Sequence, residues 1–256
     1  MVGHVTAPAA ALADRLPEWV TLVRAPNPGP MTLDGTNTWV LRASGAERSV
    51  VIDPGPLDEG HLRAVAATGP VGAVLGTHGH PDHVEGLPRF VEITGAGDDA
   101  RGLDITHVPT PGHTADSVCF LVEVGGERVI FTGDTILGRG TTVVAWPNGD
   151  LGAYLASLEL LSTYEGVPAL PGHGPALADC GAAARFYLAH RRARLDQVRQ
   201  AISEGAGSAQ EVVAKVYADV DPSLWPAAEW SVRAQLAYLG HDGGESTSGS
   251  VWLDSP

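Results

Sequence analysis

The chain has 256 residues, of which 44% are hydrophobic, and this length is enough to bury a core without disulfides or other cross-links. Its formal net charge is −14 with a single lysine, which weighs against a DNA-binding protein that needs a basic face. The sequence shows neither the pattern of a secretory signal at its start nor a membrane-spanning segment. We therefore expect a cytoplasmic protein that binds neither DNA nor a membrane.

We predict an irregular N-terminal arm at residues 1–18, one main domain at 19–204, and a helical C-terminal appendage with a flexible tail at 205–256. In the main domain, short runs rich in Val, Ile, Thr and aromatic residues indicate strands, and helically spaced apolar residues indicate helices. The mixture favours an α/β fold with packed sheets and outer helices. The predicted strands are Trp19–Arg24, Thr38–Arg42, Ser49–Ile52, Val71–Thr77, Leu103–Val108, Ser117–Val124, Glu127–Phe131 and Val167–Leu170. The predicted helices are Leu57–Thr68, Leu151–Tyr164 and Leu177–Glu204.

The appendage is predicted to contain two short helices. Ser208 and Glu211 have the spacing of a capping box, in which each side chain satisfies a backbone amide at the start of a helix. A second helix is predicted over Pro226–Leu239. The following stretch, Gly240–Gly249, is rich in Gly and Ser and is predicted to be mobile, while Val251–Leu253 is compatible with a last short strand.

The strongest chemical signal is the sequence HGHPDH, which begins at His78 directly after a predicted buried strand. Neutral imidazole nitrogens and carboxylate oxygens are ligands that zinc prefers. His78 and His80 are two residues apart, so an extended backbone points both side chains to the same side. Pro81 suits the first turn of a short helix, which would direct Asp82 and His83 toward a second point. This one segment therefore predicts ligands for two neighbouring metal ions.

Three further residues complete two metal sites, because each follows a predicted strand or lies at its end. His113, Asp134 and His173 are each flanked by glycine, where the backbone can turn sharply and approach an ion closely. A carboxylate has two oxygens, so Asp134 can bridge two cations. The remaining histidines lack this context, and His61 is predicted to lie on an exposed helix face. The predicted metal ligands are His78, His80, Asp82, His83, His113, Asp134 and His173.

In these residues the chain resembles the metallo-β-lactamase superfamily, whose pattern is His-x-His-x-Asp-His, then Gly-His, a bridging Asp and a final His. The resemblance implies an αββα sandwich of two sheets with outer helices, and a cofactor of two zinc ions. It also implies that Asp53 supports the metal site from behind the ligands. One implied metal site consists of His78, His80 and His113, the other of Asp82, His83 and His173, with Asp134 between them.

Further motifs are similar to one branch of that superfamily, the beta-lactamase-like protein 2 branch with its bacterial relatives. These motifs are NPGP at Asn27, GTNTW at Gly35, GDTILG at Gly133 and PGHGP at Pro171. The likeness covers nearly the whole chain, including the appendage, which in that branch resembles a winged-helix remnant. Members of the branch include an endoribonuclease that acts on single-stranded RNA.

The resemblance implies a binuclear zinc hydrolase in which a metal-bridging hydroxide attacks a phosphodiester such as that of single-stranded RNA, or a small-molecule substrate. Asp82 would orient this nucleophile or relay its proton. A thioesterase or carboxyl-ester hydrolase similar to glyoxalase II is the alternative, and a non-catalytic binding module is a third reading that the complete ligand set disfavours. Zinc β-lactamases of the commonest type place a cysteine in the second site. Here Cys119 and Cys180 fall outside the motifs and are predicted to be free, buried thiols.

Substrate contacts are harder to predict than metal ligands. Arg185, Arg192 and Arg199 recur every seven residues and so share one face of the long helix, which we interpret as a solvated, ion-paired face rather than a phosphate-binding edge. His190 and Arg191 are the predicted substrate-binding residues. Residues that would shape the entrance are Asn37, Thr141, Thr142 and Trp146.

Overall fold

A computed structural model describes residues 16–241, in which two four-stranded sheets pack face to face with helices on both outer sides. The predicted αββα sandwich is therefore confirmed. In both sheets the strand order follows the chain, with two antiparallel pairings and then one parallel pairing. The first sheet consists of β1 (Val20–Arg24), β2 (Asn37–Leu41), β3 (Ser49–Ile52) and β4 (Val71–Leu75). The second consists of β5 (Asp104–Pro109), β6 (Val118–Val124), β7 (Glu127–Gly133) and β8 (Ala169–Pro171).

Apolar side chains from both sheets fill the space between them. Trp39 of β2 meets Phe131 of β7 edge to face, with ring centroids 5.8 Å apart, and both side chains are almost fully buried. Aromatic pairs of this geometry add to the stabilisation that burial of their area already gives. The same cluster includes Trp19, Leu41, Val50, Ile52, Phe120, Val122, Val129 and Leu170. This shared core holds the strand ends of the two sheets in a fixed relation.

Two helices cover each sheet on its outer side. The first sheet packs against α1 (Glu59–Ala66) and α3 (Leu87–Thr94), and the second against α4 (Leu151–Leu161) and α5 (Cys180–Ser203). Helix α3 was not predicted from the sequence. It is only eight residues long and has a proline in its first turn, but its Phe90 is fully buried and Gly95 ends it in the left-handed conformation.

The long helix begins three residues later than predicted. Its first amides are capped by Asp179, whose side chain accepts a hydrogen bond from the backbone N–H of Ala182 at 2.9 Å. Leu177 instead pairs through its backbone with Ala169, at N–O distances of 2.8 and 2.9 Å. The segment before Asp179 therefore extends the edge of the second sheet rather than the helix.

The appendage packs on the C-terminal half of α5. It consists of α6 (Ala209–Val216), a 3₁₀ turn (Pro222–Leu224) and α7 (Trp225–Tyr238), as the two predicted helices require. Ser208 caps α6 by accepting from the backbone N–H of Glu211 at 3.2 Å. The shared core of this region contains Val198, Val212, Val213, Val232 and Leu236.

Some predictions concern residues that the structure does not describe. The described range leaves out residues 1–15 of the predicted arm 1–18. It also leaves out residues 242–249 of the predicted mobile stretch Gly240–Gly249. The segment Val251–Leu253 lies wholly outside. Among residues 16–241, no helix combines the length and apolarity needed to cross a bilayer. The domain bounds and the cytoplasmic location stay predictions.

Candidate metal centre

The predicted ligands meet at one edge of the sandwich because of the two parallel strand pairs. β3 and β4 run parallel, as do β7 and β8, so the carboxyl ends of each pair lie side by side. Residues that follow these ends, and the loop after β5, project into one space. The structure places the candidate ligand atoms in two groups, each with all atoms within 4.8 Å of one another. The first group is His78, His80, His113 and Asp134, and the second is Asp82, His83 and His173.

A one-turn helix separates the ligands of the HGHPDH segment. His80 is extended, with φ −67° and ψ 141°, and is followed by α2 (Pro81–Val84). The helix turns Asp82 and His83 away from the two preceding histidines, so that one short segment serves both groups. This is the arrangement that the position of Pro81 predicted.

In the first group the imidazole nitrogens converge on one point. His78 Nε2 lies 2.9 Å from His80 Nδ1, and His113 Nε2 lies 3.1 Å from the same nitrogen. The far nitrogen of His113 donates to the carbonyl oxygen of Val143 at 2.7 Å, which leaves its inner nitrogen with a free lone pair. Burial, reinforced by the neighbouring His83, lowers the pKa of His78 to about 2. Burial also lowers the pKa of His80, so both rings favour the neutral, ligating form.

The second group combines two histidines with carboxylates. His83 Nε2 and His173 Nε2 face each other at 3.2 Å, and His173 Nε2 lies 3.1 Å from Asp82 Oδ2. Burial works against a charge on His173, but the neighbouring carboxylates of Asp134 and Asp82 raise its pKa to about 9. Burial likewise opposes ionisation of Asp82, yet His173 and His83 lower its pKa to about 2. This group therefore attracts positive charge, which protons or a metal cation can supply.

Asp134 lies between the two groups. Its Oδ1 is 3.4 Å from His83 Nε2 and 3.5 Å from His173 Nε2, while its Oδ2 is 3.8 Å from His113 Nε2. Within the described residues, Oδ1 is buried without a hydrogen-bond partner. A buried carboxylate oxygen without a partner costs free energy unless a cation compensates it. Five imidazoles and two carboxylates arranged in this way fit two divalent cations.

Asp53 supports both groups from behind, as the resemblance implied. Its carboxylate accepts from the backbone N–H and the hydroxyl of Thr77, both at 2.7 Å, and from His83 Nδ1 at 2.8 Å. Because the Thr77 hydroxyl gives its proton to Asp53, it can only accept from His78 Nδ1, at 3.1 Å. When neutral, both histidines thus keep a free lone pair on the inner nitrogen. Asp53 has a φ of 52°, a strained value for a non-glycine residue.

Two glycines make room for the centre. A Cβ on Gly172 would lie 2.5 Å from His83 Cε1 and 2.7 Å from Asp134 Oδ1. Gly133 has a φ of +47°, and a Cβ there would lie 2.5 Å from the hydroxyl oxygen of Thr77. Both glycines therefore allow backbone to pass directly beside the ligands.

The predicted exposure of His61 is wrong, because this ring faces the first sheet. Its side chain is buried, and Nε2 lies 2.9 Å from the hydroxyl of Thr38, which donates to the carbonyl oxygen of Asp53 at 2.6 Å. Burial lowers the pKa of His61. Although the sequence predicted the helix correctly, it did not show how far the buried face extends.

Asn37 does not shape the entrance, because its side chain is fully buried. Its amide donates to the carbonyl oxygens of Pro171 at 3.0 Å and Gly174 at 2.8 Å, and so holds the turn that carries His173. The preceding Thr36, which the sequence analysis did not single out, places its hydroxyl 3.4 Å from Asp82 Oδ2. Both residues belong to the GTNTW motif. Of the other proposed entrance residues, Thr142 is buried, Thr141 is half-buried and Trp146 is exposed.

The arginines of α5 have two different environments. The three that share the outer face form ion pairs of 2.7 to 3.0 Å, as a solvated face predicts: Arg185 with Glu165, Arg192 with Glu159 and Arg199 with Asp196. Arg191, in contrast, is buried. The neighbouring His190 is half-buried, and burial together with Arg191 lowers its pKa to about 4. Contact of His190 and Arg191 with substrate stays a prediction.

Comparison with known proteins agrees with this geometry. The family model of the Metallo-beta-lactamase superfamily matches residues 31–100 and 94–173. The chain belongs to this superfamily. The model of the Beta-lactamase associated winged helix domain matches residues 208–244, which include both helices of the appendage. The predicted class of enzyme, a metal-dependent hydrolase, is confirmed at the level of the superfamily.

Relatives within the superfamily match most of the chain. The Beta-lactamase-like protein 2 homolog of Drosophila melanogaster is 31% identical over 274 residues, covering 90% of each chain. The Atrochrysone carboxyl ACP thioesterase of Aspergillus chevalieri is 34% identical, covering 80% of this chain and 75% of that protein. Among solved structures, a Beta-lactamase domain protein from Burkholderia ambifaria has a TM-score of 0.70 at 21% identity and covers 91% of both chains. That structure shows the shared fold.

Proposed function

We propose that the protein is a binuclear zinc hydrolase that cleaves phosphodiesters, with single-stranded RNA as the leading substrate. The observation that carries the binuclear assignment is the position of Asp134, whose two oxygens face two separate groups of nitrogen ligands. A single ion would leave one group of closely spaced donors without a partner. Two divalent ions compensate the carboxylates and use every inward-facing nitrogen.

In this proposal each zinc ion has its own ligands and Asp134 is shared. When bound, the two ions supply Lewis acidity and lower the pKa of water toward about 7. The protein must hold each ligand imidazole in the tautomer whose inner nitrogen carries a lone pair, so that no proton occupies the nitrogen that binds metal. Asp53 does so for His83 and Val143 for His113, while Asn37 holds the turn that carries His173. The first ion would be held by His78, His80 and His113, and the second by Asp82, His83 and His173.

Asp82 is the proposed catalytic residue besides its role as a ligand. Its side chain is 27% exposed, against 10% for Asp134, so it is the carboxylate that a substrate can reach. Its low pKa keeps it ionised at neutral pH, where it orients an attacking water by accepting a hydrogen bond. Thr36 and His173 fix the position of its Oδ2.

The phosphodiester substrate is supported by likeness over most of the chain. The Drosophila relative matches 90% of both chains, and the resemblance found in the sequence connects this branch with cleavage of single-stranded RNA. The formal net charge of −14 weighs against the basic face that binding of duplex DNA requires. A strand without a partner can instead be held mainly at the metal centre.

A thioester is the second candidate substrate, and two observations favour it. The Aspergillus relative, named as a thioesterase, is 34% identical over 80% of this chain. In addition, several exposed arginines of this chain are already ion-paired, including Arg139, which binds Asp34 through two hydrogen bonds of 2.8 and 2.9 Å. A neutral acyl thioester needs no free guanidinium, whereas a polyanion gains from one.

The test combines metal analysis with a panel of substrates: bis-p-nitrophenyl phosphate, an acyl thioester, a lactam and single-stranded RNA. We expect two zinc ions per chain and cleavage of RNA and of the model phosphodiester. RNA cleavage should weaken steeply with salt, and Asp82→Asn should abolish it. The matched control is His107→Ala, which removes a histidine outside both groups.

Each departure from this result has a distinct meaning. Hydrolysis of the thioester without cleavage of RNA would replace the first candidate by the second. One metal ion per chain would contradict the binuclear centre, and two iron ions would contradict only the choice of zinc. Fully loaded protein that cleaves none of the four substrates would show a binding module rather than an enzyme.

A further inference from the structure

The long helix α5 holds one segment of the centre at two points. Tyr187 and Arg191 are four residues apart and therefore lie on the same face of the helix. The hydroxyl of Tyr187 accepts from the backbone N–H of Leu137 at 2.9 Å and donates to its carbonyl oxygen at 3.2 Å. The guanidinium of Arg191 donates through Nη2 to the carbonyl oxygen of Thr142. The segment 137–142 is thus fixed to the helix at both of its ends.

In the chain, this segment lies between Asp134, the carboxylate that faces both metal groups, and Val143, which anchors the ligand His113. It follows Asp134, and it ends directly before Val143, whose carbonyl oxygen accepts from His113 Nδ1 at 2.7 Å. The hydroxyl of Thr142 also lies 3.4 Å from His113 Nδ1. The carbonyl that Arg191 holds is therefore one residue before the carbonyl that sets the orientation of the His113 ring.

Arg191 occupies an unusual environment for a cation. It is 5% exposed, and among the described residues no carboxylate lies within 4 Å of it. Its Nε is buried without a hydrogen-bond partner, and its Cζ lies 5.3 Å from the centroid of the Tyr154 ring. An apolar side chain would fill this position without the cost of burying a charge. The cation is therefore explained by its directed bond to the carbonyl oxygen of Thr142 and by its place beside the Tyr154 ring.

We propose that Arg191 is a positioning residue for the first metal group. By holding Thr142 and Val143 it fixes the ring of His113, and so it raises the affinity of His78, His80 and His113 for their ion. Arg191 then acts from behind the centre rather than by touching substrate. This inference rests on the proposed metal-binding function, although it does not depend on which substrate the enzyme cleaves.

The test is titration of metal-free protein with ¹¹³Cd²⁺, observed by NMR. The wild-type protein should give two resonances, and His113→Ala should identify the one that belongs to the first group. In Arg191→Met this resonance should shift or broaden, and cadmium affinity there should fall about 10- to 100-fold, while the other resonance stays unchanged. Arg191→Lys should restore both, because its ammonium group can donate to the same carbonyl. The matched control is Arg192→Met, the adjacent exposed residue.

The outcomes separate positioning from general stability. A lower Tm in Arg191→Met with both resonances and affinities unchanged would overturn the inference, as would an equal effect on both sites. If this variant does not fold, Arg191→Gln decides by the same criteria. A wild-type chain that binds one cadmium ion, at the His113 group, would contradict the binuclear proposal and still test Arg191. A wild-type chain that binds none would overturn both.

Discussion

The two sheets have the same pairing pattern, but they build their shares of the metal centre differently. The first sheet supplies Asp53 after β3 and a single compact segment, 77–83, after β4. The second sheet supplies three isolated side chains from three separate places, His113, Asp134 and His173. The ligands from the first sheet therefore lie in one short segment, and we call this part of the metal centre the compact half. The ligands from the second sheet span 61 residues, from position 113 to position 173, and we call them the dispersed half.

The difference extends to how the ligands are held. In the compact half one buried carboxylate, that of Asp53, orients the segment 77–83 through its contacts with Thr77 and His83. Among the ligands from the second sheet, the two histidines each have a distant anchor. His113 depends on the carbonyl of Val143, and the turn of His173 depends on Asn37 from the opposite sheet. The compact segment thus has one support, while the two dispersed histidines have one each.

Asp134 belongs to both metal groups, so its loss should have the largest effect. In Asp134→Asn we expect activity to fall by a factor on the order of 10³, because the neutral amide cannot compensate two cations. Metal analysis should show that both ions bind more weakly. The same substitution at the exposed Asp104 is the control. Loss of a single ion with the other held normally would show that Asp134 serves one site only.

Asp53 tests the compact half. Asparagine tolerates the left-handed backbone found at this position but removes the charge that faces His83. Asp53→Asn should therefore fold and lose metal affinity about 10- to 100-fold, measured by competition with a chelator. Because Asp53 contacts both Thr77 and His83, both ions should be affected. Unchanged affinity would contradict the view that one carboxylate supports this half.

Asn37 tests the dispersed half. Asn37→Ala leaves the carbonyl oxygen of Gly174 without its donor, while that of Pro171 keeps only the indole N–H of Trp39, at 3.1 Å. This loss should cost about 1–3 kcal/mol in the free energy of unfolding. Only the ion held by His173 should bind more weakly, by a factor on the order of 10. Denaturant unfolding and metal titration measure the two effects, with the exposed Asn148→Ala as control. Equal weakening of both ions would contradict a separate anchor.

The same contrast explains which parts of the metal centre could be predicted from the sequence. The compact segment after Val71–Thr77 was predictable because a buried strand, a proline and four ligands follow one another in the chain. The isolated ligands were predictable from glycine-flanked strand ends and from the resemblance. The residues that anchor these ligands could not be predicted, because the roles of Asn37 and Arg191 depend on contacts with residues 134 and 49 positions away in the chain. The burial of His61 likewise depends on which surface α1 meets.

The smallest expected effect concerns the two thiols, which lie on the side of the dispersed half. Cys119 of β6 is fully buried, and burial raises its pKa to about 11, while burial also raises the pKa of Cys180. A raised pKa favours the unreactive neutral thiol, so at pH 8 only about one Cys119 in 10³ would be a thiolate even if it were accessible. We expect no reaction of the native protein with iodoacetamide at pH 8 and reaction of both thiols in guanidinium chloride. Reaction of native Cys119 within minutes would show that the dispersed half opens locally. Slower reaction after zinc addition would then assign that opening to the metal-free state.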